Sequence, residues 1–308
     1  MRTVTQRAFG GPEVLTPSEG PDPVLGPGEI LIAVKAAGVN PVDAAVRAGL
    51  YPLLGDPPFV LGWDVSGTIE AVGTGVTDVS VGEAVYGMPR FPNQAAAYAE
   101  KVAAPAGEIA PKPRGLNHIH AAALPLAGLT AWQGLVDAGG LRTGQRVLVH
   151  GAGGGVGHLA VQIAKARGAS VIATASEDKR DFVRNLGADE VIDYRKEDFT
   201  RRAQEIDIAL ETVGGDHANE TVKTLRWGGV LVSLLAVNEA ASAAARERRI
   251  TVARVSVRPD RAALLELGRL VEAGKLKIHV ERTFDLAEAA AAHVFLGTKP
   301  KGKIVLTT

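Results

Sequence analysis

Along the first 124 residues, apolar positions fall in short runs broken by Gly and Pro: EILIAVKAAGV from Glu29, VSGTIEAVG from Val65, EAVYGM from Glu83 and AAAYAEKVAA from Ala95. None sustains helical spacing for long, and the pattern predicts a β domain of antiparallel, barrel-like build. From Pro125 the pattern changes. Leu126, Leu129, Trp132, Gln133 and Val136 trace one helical face, and beyond them buried strands alternate with helices. The strands read VLVH (147–150), VIATA (171–175), EVID (190–193), IALE (208–211), VLVSLL (230–235) and VARVSV (252–257). Between the first two, Val156, Leu159, Ala160, Ile163 and Ala164 recur at helical spacing, with Gly168 placed to end the helix. Continuous apolar strands separated by such helices predict a parallel sheet covered on both faces. After Pro259 come a helix through Leu264, Leu267 and Val271, the extended stretch KIHVERTFDL, a second helix and a closing strand, KIVLTT. The expected α/β architecture is therefore a mainly antiparallel β-barrel domain over residues 1–125, a doubly wound domain over 126–258 and a return to the first domain over 259–308.

Composition narrows the chemistry. Charged residues make up 22% and hydrophobic ones 46%, globular proportions, and with 36 Gly and 17 Pro turns must be plentiful. Lys and Arg balance Asp and Glu at 34 each, so no strong field recommends nucleic acid or an anionic membrane as partner. The absence of cysteine excludes disulfides, iron–sulfur clusters, thiolate zinc sites and cysteine nucleophiles together. No apolar run is long enough to span a membrane, and MRTVTQRAFGG at the N-terminus lacks the apolar segment of a signal peptide; a cytoplasmic location is expected.

The most informative string is RVLVHGAGGGVGHLAVQIAKARGA, from Arg146 to Ala169. It sets five glycines between a buried strand and an amphipathic helix. A pyrophosphate needs backbone N–H groups at a helix N-terminus and no side chains in the way, and this arrangement supplies both. Aligned on the last glycine, the dinucleotide fingerprint falls on Ala152, Gly154 and Gly157, with Gly155 and Val156 between, so Ala replaces the first glycine. Competing motifs fail: GGLRTGQR from Gly139 has Gln145 where a P-loop needs Lys, and no Tyr is followed four residues later by Lys.

The kind of dinucleotide is decided at the end of the second strand, where an NAD enzyme carries a carboxylate for the ribose 2′-hydroxyl. Here VIATASEDKR puts Ala175 at that end, followed by Ser176, Lys179 and Arg180. A carboxylate repels a 2′-phosphate, whereas a hydroxyl and a cation bind it, which favours NADPH. Glu177 keeps the rival reading open: it could be the missing acid, with Lys179 and Arg180 as solvated charges.

The order of domains and the motifs AGVNPVDAAVRAGLY (37–51), LGWDVSGTIEAVG (61–73), AALPLAGLTAWQGL (122–135), VLVHGAGGGVG (147–157), LGADEVIDY (186–194) and KGKIVL (301–306) resemble the zinc-independent quinone oxidoreductases of the medium-chain dehydrogenase/reductase superfamily, the group that includes zeta-crystallin. The resemblance covers nearly the whole chain. It implies a GroES-like barrel with a Rossmann domain, and a zinc-free reductase that passes hydride from NADPH to a quinone or an α,β-unsaturated carbonyl. In zinc-bearing relatives a Cys stands at the position of Asn40 and a His at that of Trp63, and neither replacement is a zinc ligand. The resemblance further implies that Asn40 sits near the nicotinamide and that Thr130 contacts it. It places Ser176, Lys179 and Tyr194 around the 2′-phosphate, and Leu234 and Leu235 in the loop whose backbone meets the carboxamide. Gly is commoner than Leu in that loop, and Glu commoner than the Asp at Asp64.

Several residues carry a plainer reading. Tyr51, in the family's GLY triplet, could donate a proton to a reduced carbonyl oxygen or simply wall the pocket. Asp43 and Arg47, four apart on a short helix, have the spacing of a surface ion pair. His118 and His120 point apart on a helix and make no metal pair, and His150 suits a hydrogen-bond partner better than a base. The apolar last strand, 252–257, would be an exposed edge in a monomer, so a homodimer is expected. The expected partner is a small-molecule quinone or enone, without nucleic acid or membrane. The alternatives are an alkenal or enoyl-thioester reductase, and a nucleotide-binding structural or sensing protein with little turnover.

Overall fold

The computed structural model describes all residues from 1 to 308, in two compact units. The first unit comprises residues 1–129, 258–273 and 278–308; the second comprises 130–257 and 274–277.

The first unit opens with strands β1 (Arg2–Gln6), β2 (Leu15–Glu19), β3 (Glu29–Val39), β4 (Phe59–Val60), β5 (Asp64–Val72), β6 (Ala84–Gly87), β7 (Lys101–Pro105) and β8 (Ile109–Pro111). The second holds β9 (Arg146–Val149), β10 (Ser170–Ala175), β11 (Glu190–Asp193), β12 (Ile206–Glu211), β13 (Leu225–Ser233) and β14 (Thr251–Arg254), and the returning chain adds β15 (Val280–Asp285) and β16 (Lys303–Thr307) to the first. Helices are α1 (Pro41–Arg47), α2 (His118–Ala122), α3 (Pro125–Trp132), α4 (Gly157–Ala166), α5 (Arg180–Asn185), α6 (Phe199–Arg202), α7 (His217–Thr224), α8 (Glu239–Glu247), α9 (Arg261–Glu272) and α10 (Ala289–Leu296).

In the first unit β3 is the organising strand. Its alternation of apolar residues buries Ile30, Ile32 and Val34 on one face, each burial stabilising by about 1.5–3 kcal/mol. It pairs antiparallel with β5, β7 and β16, so the closing strand is built into the sheet that β3 begins; β15 lies parallel to β16. The run 95–104 forms a strand only from Lys101. Ala96 has a left-handed φ of +59°, which breaks the extended path, and Ala99 makes a single bridge to Thr3.

The second unit is a six-stranded parallel sheet in the order β11-β10-β9-β12-β13-β14. This is the doubly wound order, and the chain reverses direction across the sheet between β9 and β12. Ligands of such sheets bind outside the carboxyl ends of the strands at that point. One face of the sheet packs Leu148, Ile172, Ile192, Phe199, Ile206 and Leu231 into an apolar cluster. α4 buries Leu159, Ala160, Ile163 and Ala164 and stops where Gly168 turns left-handed, φ +82°. The helix that begins as α3 widens into a π-helical stretch at Gln133–Ala138. β14 is shorter than the run 252–257: its pairing ends at Ser233 of β13, and it forms the sheet edge with Thr251, Val252 and Arg254 exposed.

Candidate active site

The glycine-rich turn leaves β9 at the crossover point and runs into α4. A Cβ on Gly157 would stand 2.7 Å from Ala152 Cα and collide with the Gly151 carbonyl, so the helix can approach the strand only with glycine there. That close approach belongs to the last position of the fingerprint, consistent with the alignment on Ala152, Gly154 and Gly157. Gly151 has φ +61°, a left-handed turn that reverses the chain at the strand end. A Cβ on Gly153 would lie 2.6 Å from Cδ of Lys179, so the lysine's aliphatic stem crosses the turn where its backbone is bare. Bare backbone, a helix N-terminus and a lysine laid across them fit a dinucleotide's phosphates.

β10 and β11 are parallel neighbours with Ala175 paired to Asp193, so Ser176 and Tyr194 leave adjacent strand ends together. Ser176 is buried, whereas Tyr194 is exposed with the Arg195 guanidinium 5.7 Å above its ring. Ser176 bonds to Asp178, and this bond, with Lys179 and Arg195 nearby, holds the Asp178 carboxyl below its usual range. Glu177, the rival ribose ligand, is exposed and faces Arg180 at 3.5 Å and Lys196 at 3.2 Å. Thr130 is buried in α3, and Leu234 and the exposed Leu235 follow β13.

In the first unit Asn40 follows β3, caps α1 and is 1% exposed. Its carboxamide is held at both ends: Nδ2 donates to Asp64 Oδ2 at 2.8 Å, and Oδ1 accepts from Lys303 Nζ. Lys303, 3% exposed, also donates to the Val39 carbonyl at 3.1 Å and lies 3.5 Å from Asp64 Oδ2. Asp64 accepts the Leu126 N–H at 2.6 Å, fixing the start of α3. Burial pushes the Asp64 carboxyl up, and the Lys303 charge opposes the rise. Trp63 is buried with its indole N–H donated to the Asn93 carbonyl at 2.7 Å.

Asp43 and Arg47 do not form the surface pair that their spacing suggests. Both are buried, on different partners. Arg47 can only donate, so His293 Nδ1, 2.9 Å away, accepts; the neutral ring then carries its proton on Nε2 and donates it to the Tyr98 oxygen at 3.1 Å. Tyr98 in turn donates to Asp43 Oδ2 at 3.1 Å, which also accepts the Asn40 N–H at 2.7 Å. Burial and Arg47 hold His293 neutral, its pKa pushed down to about 3, while burial raises Asp43 to about 7 despite the bond from Asn40. Tyr51 follows α1 and is 42% exposed.

A second buried network, unread in the sequence, stands at the ends of β9 and β12. Glu211 Oε1 accepts the N–H groups of Val213 and Gly214 at 2.5 and 3.1 Å, and Oε2 accepts from His217 Nδ1 at 2.5 Å and from Thr221 Oγ1 at 3.1 Å. His150 bridges Thr174 and Thr221 and, as expected, serves as a hydrogen-bond partner. Burial works to raise the Glu211 carboxyl, but the His217 bond and the Val213 N–H help bring it down to about 2. His150, Glu211 and His217 offer the ligand types of a zinc site. Two ligands of one tetrahedral zinc stand roughly 3.3 Å apart, so the 2.5 Å contact between Glu211 and His217 is a hydrogen bond rather than a prepared metal site. The signal in the sequence was slight: His150 and Glu211 each end a buried strand.

Comparison with known proteins agrees with this layout. Residues 26–114 match the alcohol dehydrogenase GroES-like domain and residues 186–306 match the zinc-binding dehydrogenase family. The chain is 35% identical to 2-haloacrylate reductase of a Burkholderia species, covering 96% of each protein. It is 32% identical to mouse quinone oxidoreductase, covering 99% of this chain and 97% of that one. It is also 35% identical to the polyketide synthase protein NorB of Streptomyces orinoci, of whose length it spans only 14%. Among solved structures, quinone oxidoreductase from Coxiella burnetii superposes with a TM-score of 0.94 at 35% identity, covering 100% of this chain and 99% of that one. The Escherichia coli quinone oxidoreductase complexed with NADPH superposes with a TM-score of 0.90 at 29% identity and 100% coverage of both chains. With a GroES-like β unit, a parallel sheet in doubly wound order and two full-length relatives above 30% identity, the chain is an oxidoreductase of the quinone oxidoreductase group within the medium-chain dehydrogenase/reductase superfamily.

Proposed function

We propose that the protein is a zinc-independent, NADPH-dependent reductase that transfers hydride to a quinone or to the β-carbon of an α,β-unsaturated carbonyl compound. The observation that carries the reading is the turn at the crossover of the parallel sheet, where glycine backbone is laid bare at the start of α4 and Lys179 crosses it. The bound cofactor supplies the hydride; the chain supplies position. The amides at the start of α4 receive the pyrophosphate, and Ser176, Lys179 and Tyr194 take the adenosine 2′-phosphate, to which Ala175 offers no repelling charge.

Zinc independence rests on what surrounds Asn40. Its carboxamide is tied to Asp64 and Lys303, and the ammonium of Lys303 already supplies the cation that balances Asp64. The neighbouring Trp63 has no lone pair to offer a metal. Reduction of a conjugated carbonyl leaves an enolate or phenolate oxygen that needs a proton, and the half-exposed phenol of Tyr51 is the donor we assign.

NADPH oxidation followed at 340 nm over a panel of quinones, alkenals and enoyl thioesters, with and without a chelator, tests the reading. Turnover of at least one acceptor with NADPH ahead of NADH, undiminished by chelation, is expected; stoichiometric zinc required for activity refutes it. The similarity to 2-haloacrylate reductase favours a second reading, with conjugated alkenes as the main acceptors, which the same panel separates from quinone reduction.

A further inference from the structure

Of the two buried polar networks, the one in the second unit stands at the place where the dinucleotide must lie. Glu211 ends β12, immediately across the sheet crossover from the phosphate turn that follows β9. A dinucleotide laid over this point has its adenosine half above the ends of β10 and β11 and its nicotinamide half above the ends of β12 and β13. Glu211 is joined to the loops after both of those strands. Its carboxylate accepts the N–H groups of Val213 and Gly214, and its own carbonyl accepts the Leu234 N–H at 3.0 Å. The loop it grips reaches back to the phosphate turn: Thr212 Oγ1 donates to the His150 carbonyl at 2.9 Å, and a Cβ on Gly151 would meet that same hydroxyl. On its other side the loop packs against Leu235, whose Cδ1 lies 2.5 Å from where a Cβ on Gly214 would be.

The direction of the bonds is fixed by the groups present. The Glu211 carboxylate and the His217 carbonyl, 3.1 and 2.9 Å from the Thr221 hydroxyl, can only accept and share its one proton, so His150 must donate from Nε2 to the Thr221 oxygen and accept from Thr174 at Nδ1. Every hydrogen-bonding position on the Glu211 carboxylate faces a donor, and His217, on the first turn of α7, contributes the shortest of these bonds from a side chain. A neutral side chain of similar shape fills the same space but sets its amide N–H2 against the two donors that one carboxylate oxygen faced.

We propose that Glu211, held by His217, is a positioning residue for the nicotinamide half of the cofactor, setting the loops that follow β12 and β13 against the phosphate turn. The inference rests on the function proposed above and adds the residues that orient the reacting ring. It treats both nicotinamide cofactors alike, because they share that half of the molecule, and in this it differs from Ser176 and Lys179.

The test compares Glu211→Gln, His217→Ala and His217→Asn with the full-length wild type. NADPH and NADH affinities are measured by quenching of intrinsic fluorescence, and kcat at saturating cofactor with the best acceptor of the panel. Glu211→Gln and His217→Ala are expected to weaken both cofactors by the same factor, about tenfold or more, and to lower kcat. His217→Asn, whose amide N–H stands where Nδ1–H was, is expected to recover most of both. Unchanged affinities and kcat with only a lower melting temperature overturn the proposal, as does weakening confined to NADPH. If Glu211→Gln fails to fold, the two His217 variants, at a half-buried position, give the same decision. A wild type that binds neither dinucleotide refutes the proposed function and this inference together; a wild type that binds both, with variants that match it, refutes the inference alone.

Discussion

Replacing Lys303 with Met keeps the length of the side chain and removes its charge. In the folded protein Lys303 is the cation beside Asp64, and it also donates to Asn40 Oδ1 and to the Val39 carbonyl. Without it a fully buried carboxylate stands with no counter-charge, a change that typically costs 3–5 kcal/mol. In a unit of this size each kcal/mol moves the midpoint by roughly 2–4 °C, so the transition that melts the first unit should fall by roughly 6–20 °C. Removing both charges is a smaller injury than removing one. The double variant Asp64→Asn/Lys303→Met removes both members of this pair and should recover at least about 1.5 kcal/mol relative to the sum of the single losses. Calorimetry on the four proteins, with urea denaturation followed by near-ultraviolet circular dichroism, reads this directly. Additive losses, or a Lys303→Met variant as stable as wild type, refute the reasoning: the ammonium would then not be what balances Asp64.

Lys179→Ala should weaken NADPH by at least about tenfold, the loss of one charge-assisted hydrogen bond, and leave NADH nearly unchanged; equal weakening of both makes Lys179 structural, and a wild type that prefers NADH makes Glu177 the ribose ligand. His150 and His293, held neutral with pKa values near 3, take up protons on unfolding below about pH 6.5, so the stability they contribute is complete above that pH and is lost towards pH 3. Asp43, raised to about 7, works oppositely over roughly pH 4–7, so Asp43→Asn should steepen the rise of stability with pH, read by urea denaturation there, by up to one proton's worth, roughly 1.4 kcal/mol per pH unit, and an unchanged slope contradicts the assignment. The exposed edge at β14 should pair with a second copy: light scattering at micromolar concentration is expected to show a dimer that Val252→Lys converts to monomer, and a monomeric wild type rejects this.

What could be read in the sequence was local in the chain. The glycine-rich turn between β9 and α4 was legible because its requirement, bare backbone between a strand and a helix, is written within about 20 consecutive residues, and the clash a Cβ on Gly157 would make gives the packing reason for that glycine. The parallel sheet was legible for the same reason, since each strand is an apolar run. The run from Ala95 misled because composition does not report the positive φ of Ala96 that bends it out of the sheet. Asp43 and Arg47 misled more instructively. Their spacing is that of an exposed helical pair, but α1 is so placed that Asp43 meets Tyr98 and Arg47 meets His293, residues 55 and 246 positions away. No local rule reaches that far.

The same distance explains the Asn40 cluster. Asp64 is 24 positions from Asn40 and Lys303 is 263, and the three meet because β5 and β16 both pair with β3 where Asn40 leaves it, Gly38 opposite Asp64 and Val39 opposite Ile304. A lysine in the otherwise apolar closing strand is the trace this leaves in the sequence. Buried ion pairs contribute little net stability over apolar replacements of the same shape. Their consequence here is geometric: a carboxamide that can turn over freely becomes one whose oxygen and nitrogen are each assigned a partner, because Lys303 can only donate and an ionised Asp64 only accept. Glu211 imposes the same kind of order in the second unit, where its carboxylate and the His217 carbonyl, both acceptors, take the Thr221 proton and so fix the tautomer of His150. In both units the buried charges select one orientation of a neutral hydrogen-bonding group, an order that an apolar core does not supply.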